Sequence, residues 1–340
     1  MNQLLDKDTL EKYDVMGMNK VYNKWPNIAR ESYNSDLELI NFNEIDHIVF
    51  AGMGGSGAIG DVFASILSKT NIHVSVVKGY QLPNTVDENT MTVVTSISGN
   101  TDETMYILKQ LKKGDQKTIA FSSGGLIENY CIKNNINYRK LNQFVSPRTS
   151  FTTFLYGILK VLGPIIPIKK EDIRNSLENL EKLSLNISSK NLTDSNNSLK
   201  LAEWIKEIPL IYYPNGFQSA AIRFKNSLQE NSKIHAITED VIEACHNGIV
   251  SWESSTNVQP ILIQGQDDHK KTKERWDILK EYFQSKEIPF WEIKSMEGGI
   301  LTKIMNLIYQ LDYCSIYLAV LNKRNPNSVD SIDFVKARLN

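Results

Sequence analysis

The sequence predicts an α/β protein built from two successive α/β/α sandwiches. From about residue 46, short β-branched runs alternate with stretches of helical spacing. This alternation breaks in the Asn- and Ser-rich segment 184–199 and then starts again. The chain has 340 residues, and chains beyond roughly 250 to 300 residues usually divide into more than one core. Strand–helix–strand repeats of this kind favour parallel sheets with helices on both faces.

Five strands are expected in the first sandwich. Their segments are 47–52, 73–80, 91–98, 117–125 and the short 136–141. A helix is expected directly after the first strand, because Ile59, Val62 and Ile66 recur at helical spacing. The first strand, a glycine-rich turn and this helix together form the start of a right-handed crossover.

Three strands and three helices are expected in the second sandwich. The strands are 209–216, 257–265 and 289–294, and the helices are 218–233, 270–285 and 300–321. We expect an N-terminal domain over 1–165, a helical connection over 166–200 and a C-terminal domain over 201–340.

The last of these helices is the longest apolar stretch of the chain. It contains Lys303, Gln310 and Asp312, whose burial in hydrocarbon would be costly. Its apolar residues recur at helical spacing. We therefore expect a core helix and not a membrane span.

Composition and charge point to a small-molecule partner. The chain carries 38 basic and 39 acidic side chains, so it has no general electrostatic attraction for nucleic acid or for a membrane surface. The N-terminus lacks the layout of a secretory signal. The three cysteines of the chain are far apart and form no CxxC motif, which favours free thiols in a reducing compartment. We expect a cytoplasmic protein.

A glycine-rich turn, GMGGSG at 52–57, follows the first strand and satisfies G-x-G-x-x-G. That motif is typical of dinucleotide-binding folds, in which an acidic residue at the end of the second strand holds the ribose. Here the second strand ends in Val77, Lys78 and Gly79, without an acid. Lys78 could meet a 2′-phosphate, so the dehydrogenase interpretation is weakened and not excluded.

Hydroxyl side chains cluster after the third strand, where Ser96, Ser98 and Thr101 precede an acidic helical segment. One of them could simply cap that helix. Three are more than capping needs, and hydroxyls with helix-start amides can hold a phosphate monoester without a positive charge. The segment 122–125, SSGG, repeats the theme after the fourth strand. Because loops after successive parallel strands meet at one edge, we expect a phosphorylated small molecule to bind there.

These motifs together resemble a known family. GMGGSG, SxSGNT, SSGG and PRTS at 147–150 resemble the sugar isomerase (SIS) domain. The segments 225–231, 246–253 and 332–339 are similar to those of the bifunctional phosphoglucose/phosphomannose isomerase family. The resemblance implies two SIS-type (flavodoxin-like) α/β/α sandwich domains, each with a mainly parallel sheet. It also implies a homodimer that interconverts glucose 6-phosphate, fructose 6-phosphate and mannose 6-phosphate without metal or organic cofactor.

The resemblance also implies a set of site residues. Those that would bind the substrate are Gly54, Gly55, Ser56, Ser96, Ser98 and Thr101. Those that would take part in catalysis are Glu230 of the EN motif as the base, His246 for ring opening, Arg148 and Lys336. Two positions depart from the family pattern: Ile97 replaces a commonly aromatic residue, and Gly248 stands where an acid is frequent.

The chemistry of aldose–ketose interconversion suits these residue types. One carboxylate facing both carbons can move the proton between C1 and C2 through a cis-enediol. Glu230 is expected at the margin of a helix whose buried stripe includes Phe224 and Leu228. An imidazole, which titrates near neutrality, can open the sugar ring. The residues alone do not decide between His246 and His235, which lies one helical turn beyond Asn231.

Two of the implied cations have simpler interpretations. Arg148 could stabilise the enediolate, or it could form a surface ion pair worth little. Lys336 could be a solvated cation near the end of a terminal helix.

Two other functions remain open at this stage. The first is a non-catalytic sugar-phosphate sensor, although the first 45 residues are too few and too acidic for a DNA-reading helix-turn-helix. The second is an isomerase of another sugar phosphate, such as an amino sugar or a pentose, which would share the phosphate-binding loops.

Overall fold

The computed structural model describes residues 5–111 and 117–339, and the chain divides into two compact units. We call them by their sheets. The five-stranded unit comprises Lys24–Glu181 and Gly298–Met305, and the four-stranded unit comprises Met1–Asn23, Lys182–Glu297 and Asn306–Asn340. The domain boundaries expected at residues 165 and 200 stay a prediction.

The described residues contain nine strands and fourteen α-helices. The strands are β1 (His47–Ala51), β2 (His73–Val77), β3 (Thr90–Ser96), β4 (Thr118–Ser122), β5 (Asn137–Lys140), β6 (Ile208–Tyr213), β7 (Ile237–Asp240), β8 (Val258–Gln264) and β9 (Trp291–Lys294). The helices are α1 (Lys7–Tyr13), α2 (Met18–Tyr22), α3 (Trp25–Tyr33), α4 (Gly54–Leu67), α5 (Asp102–Gln110), α6 (Gly125–Asn134), α7 (Phe151–Val161), α8 (Lys170–Ile187), α9 (Asn197–Trp204), α10 (Gln218–Ser227), α11 (Val241–Ala244), α12 (Lys270–Ser285), α13 (Ile300–Leu321) and α14 (Asp330–Leu339).

The sheet of the five-stranded unit is entirely parallel, in the order β2-β1-β3-β4-β5. This is the flavodoxin-like order, in which ligands bind at the carboxyl edge where the strand order reverses. Every residue of β1, β3 and β4 is buried, as expected for strands covered on both faces. Ser96 pairs with Ser122 in the register of β3 and β4, so the turns after these strands start side by side.

Helix α4 lies close against β1 because of a glycine. A Cβ placed on Gly60 would lie 2.9 Å from the Cβ of Phe50, a separation that packed side chains do not tolerate. Helix α4 begins at Gly54, directly after β1 ends at Ala51. The glycine-rich turn is therefore held at the carboxyl edge of the sheet.

The sheet of the four-stranded unit is also parallel, in the order β7-β6-β8-β9. The predicted α/β fold class is therefore confirmed. The sequence predicted only three strands here and missed β7, a four-residue strand. Strand β7 lies at the sheet edge, and its sequence, ITED, is short and mostly polar. It therefore has no run of apolar residues from which a strand could be predicted.

A second correction concerns the helix expected over 218–233. The regular helix α10 ends at Ser227, and Leu228–Ser232 form a π-helical turn. Such turns are rare and lie frequently at functional sites. The helices expected at 270–285 and 300–321 are confirmed with the same bounds.

Helix α13 is long and apolar enough to cross a membrane by length and composition alone. However, 83% of its most apolar 18-residue window is buried inside the protein. Its polar residue Asp312 is fully buried and paired with Arg223. The expectation of a core helix is therefore confirmed.

Candidate active site

The glycine-rich turn presents open backbone at the start of a helix. Gly54 is exposed, with φ at 52° and no atom within 4 Å of a Cβ placed on it. The N-cap residue of α4 is Met53, whose side chain makes no hydrogen bond to the first backbone N–H groups of the helix. The amides of Gly54 and Gly55 are thus available to an anion or a sugar hydroxyl, whereas those of Ser56 and Gly57 donate to the carbonyl of Met53.

Ser56 ties this turn to the next one. Its hydroxyl is buried and accepts a hydrogen bond of 3.1 Å from the backbone N–H of Ile97. A Cβ on Gly55 would lie 3.6 Å from the carbonyl oxygen of Pro147. The structure therefore brings together the glycine turn and the hydroxyl-rich turn at the carboxyl edge, and the PRTS segment lies beside the glycine turn.

The hydroxyl-rich turn is organised around Ser96. Its hydroxyl lies 2.8 Å from that of Thr101 and accepts a hydrogen bond of 3.1 Å from the N–H of Gly99. Thr101 is the N-cap residue of α5 but makes no capping hydrogen bond, so the simple capping interpretation does not apply to it. Ser98 is the exposed hydroxyl of the group. A free helix start beside these hydroxyls is a suitable environment for phosphate.

The turn after β4 packs against the hydroxyl-rich turn without intervening side chains. Gly99 has a φ of 73°, and a Cβ there would overlap the carbonyl oxygen of Gly124 and lie 2.7 Å from its carbonyl carbon. The N–H of Ser123 donates to the carbonyl of Ile97 at 3.1 Å. Ser122 is fully buried and donates to the carbonyl of Gly124. The 122–125 segment therefore supports the hydroxyl-rich turn, and its first serine is structural.

Arg148 lies in the turn before α7 and is only 5% exposed. The turn is held by its own hydroxyls: the N–H of Ser146 donates to Thr149, and the hydroxyl of Ser150 donates to the carbonyl of Ser146. Because its guanidinium is buried, the alternative of an exposed surface ion pair does not describe this residue.

In the four-stranded unit, Glu230 lies in the middle of the π-helical turn. It is half-buried, between the buried residues Leu228 and Asn231, as expected for the margin of the helix. Lys233 ends the turn in the left-handed conformation, with φ at 57°. Its N–H donates to the carbonyl of Leu228, and its ammonium donates to the carbonyl of Glu230 at 2.7 Å.

Both candidate histidines are exposed. His246 follows α11, where its backbone N–H donates to the carbonyl of Glu243 at 2.8 Å, and His235 precedes β7. The geometry of the four-stranded unit does not choose between them, so the preference for His246 rests on the resemblance.

A carboxylate fills the space next to Gly248, one of the two departures from the family pattern. A Cβ on Gly248 would overlap Oε1 of Glu239 and lie 2.7 Å from its Oε2. Burial, followed by the charge of Glu243, raises the pKa of Glu239. Any side chain at position 248 would thus compete with Glu239 for the same volume. Sequence reasoning missed Glu239, because its contact with Gly248 depends on the unpredicted strand β7.

Lys336 lies on α14, a helix with no buried residue. Its side chain is exposed, as are the apolar side chains of Ile332, Phe334, Val335 and Leu339. Within the four-stranded unit, Lys336 therefore contributes to no enclosed site.

The described residues contain no group of three or more His, Cys, Asp or Glu that could hold a metal ion. All three cysteines are free thiols, of which Cys131 and Cys314 are buried. Burial raises the pKa of Cys131 to about 12, so it is an unreactive thiol at neutral pH.

Comparison with protein families identifies the class of protein. Residues 41–129 match the SIS domain, and residues 194–339 match the bacterial phospho-glucose isomerase C-terminal SIS domain. The chain is thus a protein of two SIS-type α/β units. The first match covers the glycine-rich and hydroxyl-rich turns, and the second covers Glu230, His246 and Lys336.

Curated relatives narrow this class to one family. The chain is 31% identical over 312 residues to the bifunctional phosphoglucose/phosphomannose isomerase of Caldicellulosiruptor bescii, covering 88% of this chain and 91% of the relative. It is 27% identical to the protein of the same name from Aquifex aeolicus, over 86% of this chain and 90% of the relative. The chain belongs to the bifunctional phosphoglucose/phosphomannose isomerase family.

A relative with a different name is also similar. The D-glucosamine-6-phosphate 4-epimerase of Sulfolobus acidocaldarius is 26% identical over 249 residues, which cover 72% of this chain and 77% of the relative.

Solved structures support the fold. A hypothetical protein from Thermus thermophilus aligns with a TM-score of 0.69 at 11% identity, over 99% of this chain and 89% of the other. A glucose-6-phosphate isomerase like protein from the same organism aligns with a TM-score of 0.62 at 15% identity, over 100% and 99% of the two chains.

Proposed function

We propose that this protein interconverts glucose 6-phosphate and fructose 6-phosphate, and also accepts mannose 6-phosphate. The observation that carries the proposal is the 31% identity, over nine-tenths of its length, to a protein named for both activities. The local geometry supports it, because the five-stranded unit offers uncapped helix starts and hydroxyls, and the four-stranded unit offers a half-buried carboxylate.

Phosphate binding is assigned to the hydroxyl-rich turn. Ser96, Ser98 and Thr101 would surround the phosphate together with the first amides of α5, whose positive end favours an anion. Gly54, Gly55 and Ser56 would contact the sugar through the backbone at the start of α4. Binding by amides and hydroxyls needs no lysine, which agrees with the near-neutral charge of the chain.

Proton transfer is assigned to Glu230. Its carboxylate would remove the proton from one of C1 and C2 and return it to the other, while a proton moves between the two oxygens through the cis-enediol. His246 would move a proton between O1 and the ring oxygen to open the ring. The buried guanidinium of Arg148 would stabilise the negative enediolate, and Lys336 would assist at the substrate oxygens.

We also propose that the protein is a cytoplasmic homodimer. The exposed apolar side chains of α14 support the dimer, because a helix with no buried residue is stabilised by a partner surface. Sedimentation equilibrium measures this directly. A monomer at micromolar concentration would contradict the proposed dimer without affecting the proposed reaction.

The decisive experiment is turnover. Purified protein is mixed with glucose 6-phosphate in buffer containing a chelator, and fructose 6-phosphate is followed over time. We expect formation without added metal or cofactor. Such turnover excludes both the non-catalytic sensor and the dehydrogenase, and an absence of turnover with glucose 6-phosphate and mannose 6-phosphate would contradict the proposal.

A second candidate is epimerisation of an amino-sugar phosphate, favoured by the similarity to the Sulfolobus acidocaldarius epimerase. The two reactions differ in the carbon that changes. Proton NMR of the products from glucosamine 6-phosphate and from glucose 6-phosphate, compared at equal enzyme concentration, distinguishes them. Change at C4 supports the epimerase, and a ketose product supports the isomerase.

A further inference from the structure

We infer that Ser315, on α13, is a positioning residue for Glu230. It forms hydrogen bonds with both residues that follow Glu230 in the chain, Asn231 and Ser232. The inference rests on the proposed function, which makes Glu230 the base, and it adds a residue that the family resemblance does not assign.

The π-helical turn needs support from outside the helix. A π-turn places its backbone hydrogen bonds five residues apart, and here the N–H of Lys233 reaches the carbonyl of Leu228. The residue that ends the turn, Lys233, has a left-handed backbone, which costs free energy for a residue other than glycine. Such a conformation persists only where the surrounding structure holds it.

Ser315 provides this support through two hydrogen bonds. The amide nitrogen of Asn231 donates to its hydroxyl at 2.8 Å, and the hydroxyl of Ser232 donates to its carbonyl oxygen at 2.7 Å. Asn231 is 0% exposed, and its amide oxygen has no hydrogen-bond partner in the described part of the chain. Ser315 is therefore the group that orients the side chain of Asn231.

Asp312, one turn earlier on α13, fixes the other end of this arrangement. The hydroxyl of Ser315 donates to the backbone carbonyl of Asp312 at 2.6 Å. Its carboxylate accepts from the guanidinium of Arg223 and from the hydroxyl of Ser227, both on α10. Helix α10 is thus held to α13 before the π-turn, and the π-turn is held to α13 after Glu230.

The consequence for Glu230 is a fixed backbone with a half-exposed side chain. If the π-turn relaxed to a regular helix, one residue would change its register and the direction of Glu230 would change with it. Proton transfer depends on the placement of the base, and a displacement of about 1 Å costs roughly a hundredfold in rate. We therefore expect a loss of Ser315 to lower kcat more than it lowers substrate binding.

The test compares Ser315→Ala with a matched control, Ser198→Ala. Ser198 is also fully buried, and its hydroxyl donates to the carbonyl of Gln310 on the same helix at 2.8 Å, but it does not contact the π-turn. Both variants lose one buried serine hydroxyl bonded to α13. We expect kcat with fructose 6-phosphate to fall about ten- to a hundredfold in Ser315→Ala, with KM nearly unchanged, and both values to stay close to wild type in Ser198→Ala.

Thermal unfolding of both variants separates positioning from folding. If the two variants lose similar stability and only Ser315→Ala loses kcat, the inference is supported. Equal kcat values in the two variants would overturn it while the proposed function stands, whereas an inactive wild type would overturn the proposed function. Ser232→Ala, which removes the second bond to Ser315, is the replacement should Ser315→Ala not fold. Failure of both to fold would also overturn the inference, since the contacts would then serve folding.

Discussion

The two sheets have the same strand order over four strands but carry different chemistry at their carboxyl edges. In the five-stranded unit the turns consist of glycine, serine and threonine, and Gly99 approaches Gly124 so closely that only backbone lies between them. In the four-stranded unit the carboxyl end of β7 carries the acidic side chains of Glu239 and Asp240, and His246 follows in the next turn, whereas Glu230 lies before β7, in the turn that leads into it. The comparison teaches that strand order determines where the loops meet, while loop composition determines which chemistry they can perform.

Glycine illustrates the difference. Gly99 makes room for a carbonyl group of the neighbouring turn, whereas Gly248 makes room for the carboxylate of Glu239. The first contact is rigid, because a backbone carbonyl cannot move away. The second is adaptable, because a glutamate side chain can rotate to another position.

The largest expected effect tests whether Glu230 of the four-stranded unit is the catalytic base. Glu230→Gln removes the proposed base while keeping its size, so we expect turnover to fall by about a hundred- to ten-thousandfold. Binding of the sugar phosphate should persist, because phosphate binding is assigned to the other unit. Isothermal titration and a coupled assay measure the two effects. The exposed Glu253→Gln is the matched control, and equal activity in both variants would contradict the assignment of the base.

The next effect tests the rigid glycine contact. Gly99→Ala places a methyl group into the carbonyl of Gly124 and requires a positive φ, so we expect a loss of about 2 kcal/mol or more in the free energy of unfolding. Gly79→Ala is the control, because a Cβ there meets no atom within 4 Å. Denaturant unfolding measures both. Equal stabilities would show that the two turns can separate without cost.

A smaller effect is expected at Gly248, because the neighbouring Glu239 side chain can rotate away. Gly248→Ala brings a methyl group against Glu239, which we expect to cost about 1 kcal/mol because the glutamate must move. In a Glu239→Ser background the same substitution should cost less. A double-mutant cycle by denaturant unfolding measures the coupling. Additive effects would mean that Glu239 does not occupy the space beside Gly248.

The smallest effect concerns the opposite edge of the five-stranded sheet, away from the proposed site. Burial, followed by the charge of His73, lowers the pKa of His47. Its Nδ1 lies 3.2 Å from the hydroxyl of Thr90, and its Nε2 lies 2.9 Å from the hydroxyl of Ser75. The unfolded chain therefore binds this proton more readily than the folded one, and stability falls as the pH drops below about 6.5. His47→Gln should show a shallower fall than wild type. Identical slopes for His47→Gln and wild type would contradict the expectation.

Local sequence patterns were sufficient for much of this architecture. The strands β1, β3 and β4 of the first sheet are predominantly apolar or β-branched runs. Helices α12 and α13 begin and end where their periodicity does. The glycine-rich and hydroxyl-rich turns were recognised because their residue types have few other uses directly after a strand. The likeness to one family then suggested Glu230, which by itself would have passed for a surface glutamate.

The tertiary structure decided what depends on residues distant in the chain. Strand β7 exists because β6 pairs with it, and the π-turn is held by Ser315, 84 residues from Asn231. The burial of Arg223 is possible only because Asp312, 89 residues away, neutralises it. The sequence alone determined the elements with strong local periodicity and the chemistry of their turns. It could not determine a weak edge strand, a bent helix end or a buried ion pair, because the free energy of each comes from contacts that form only on folding.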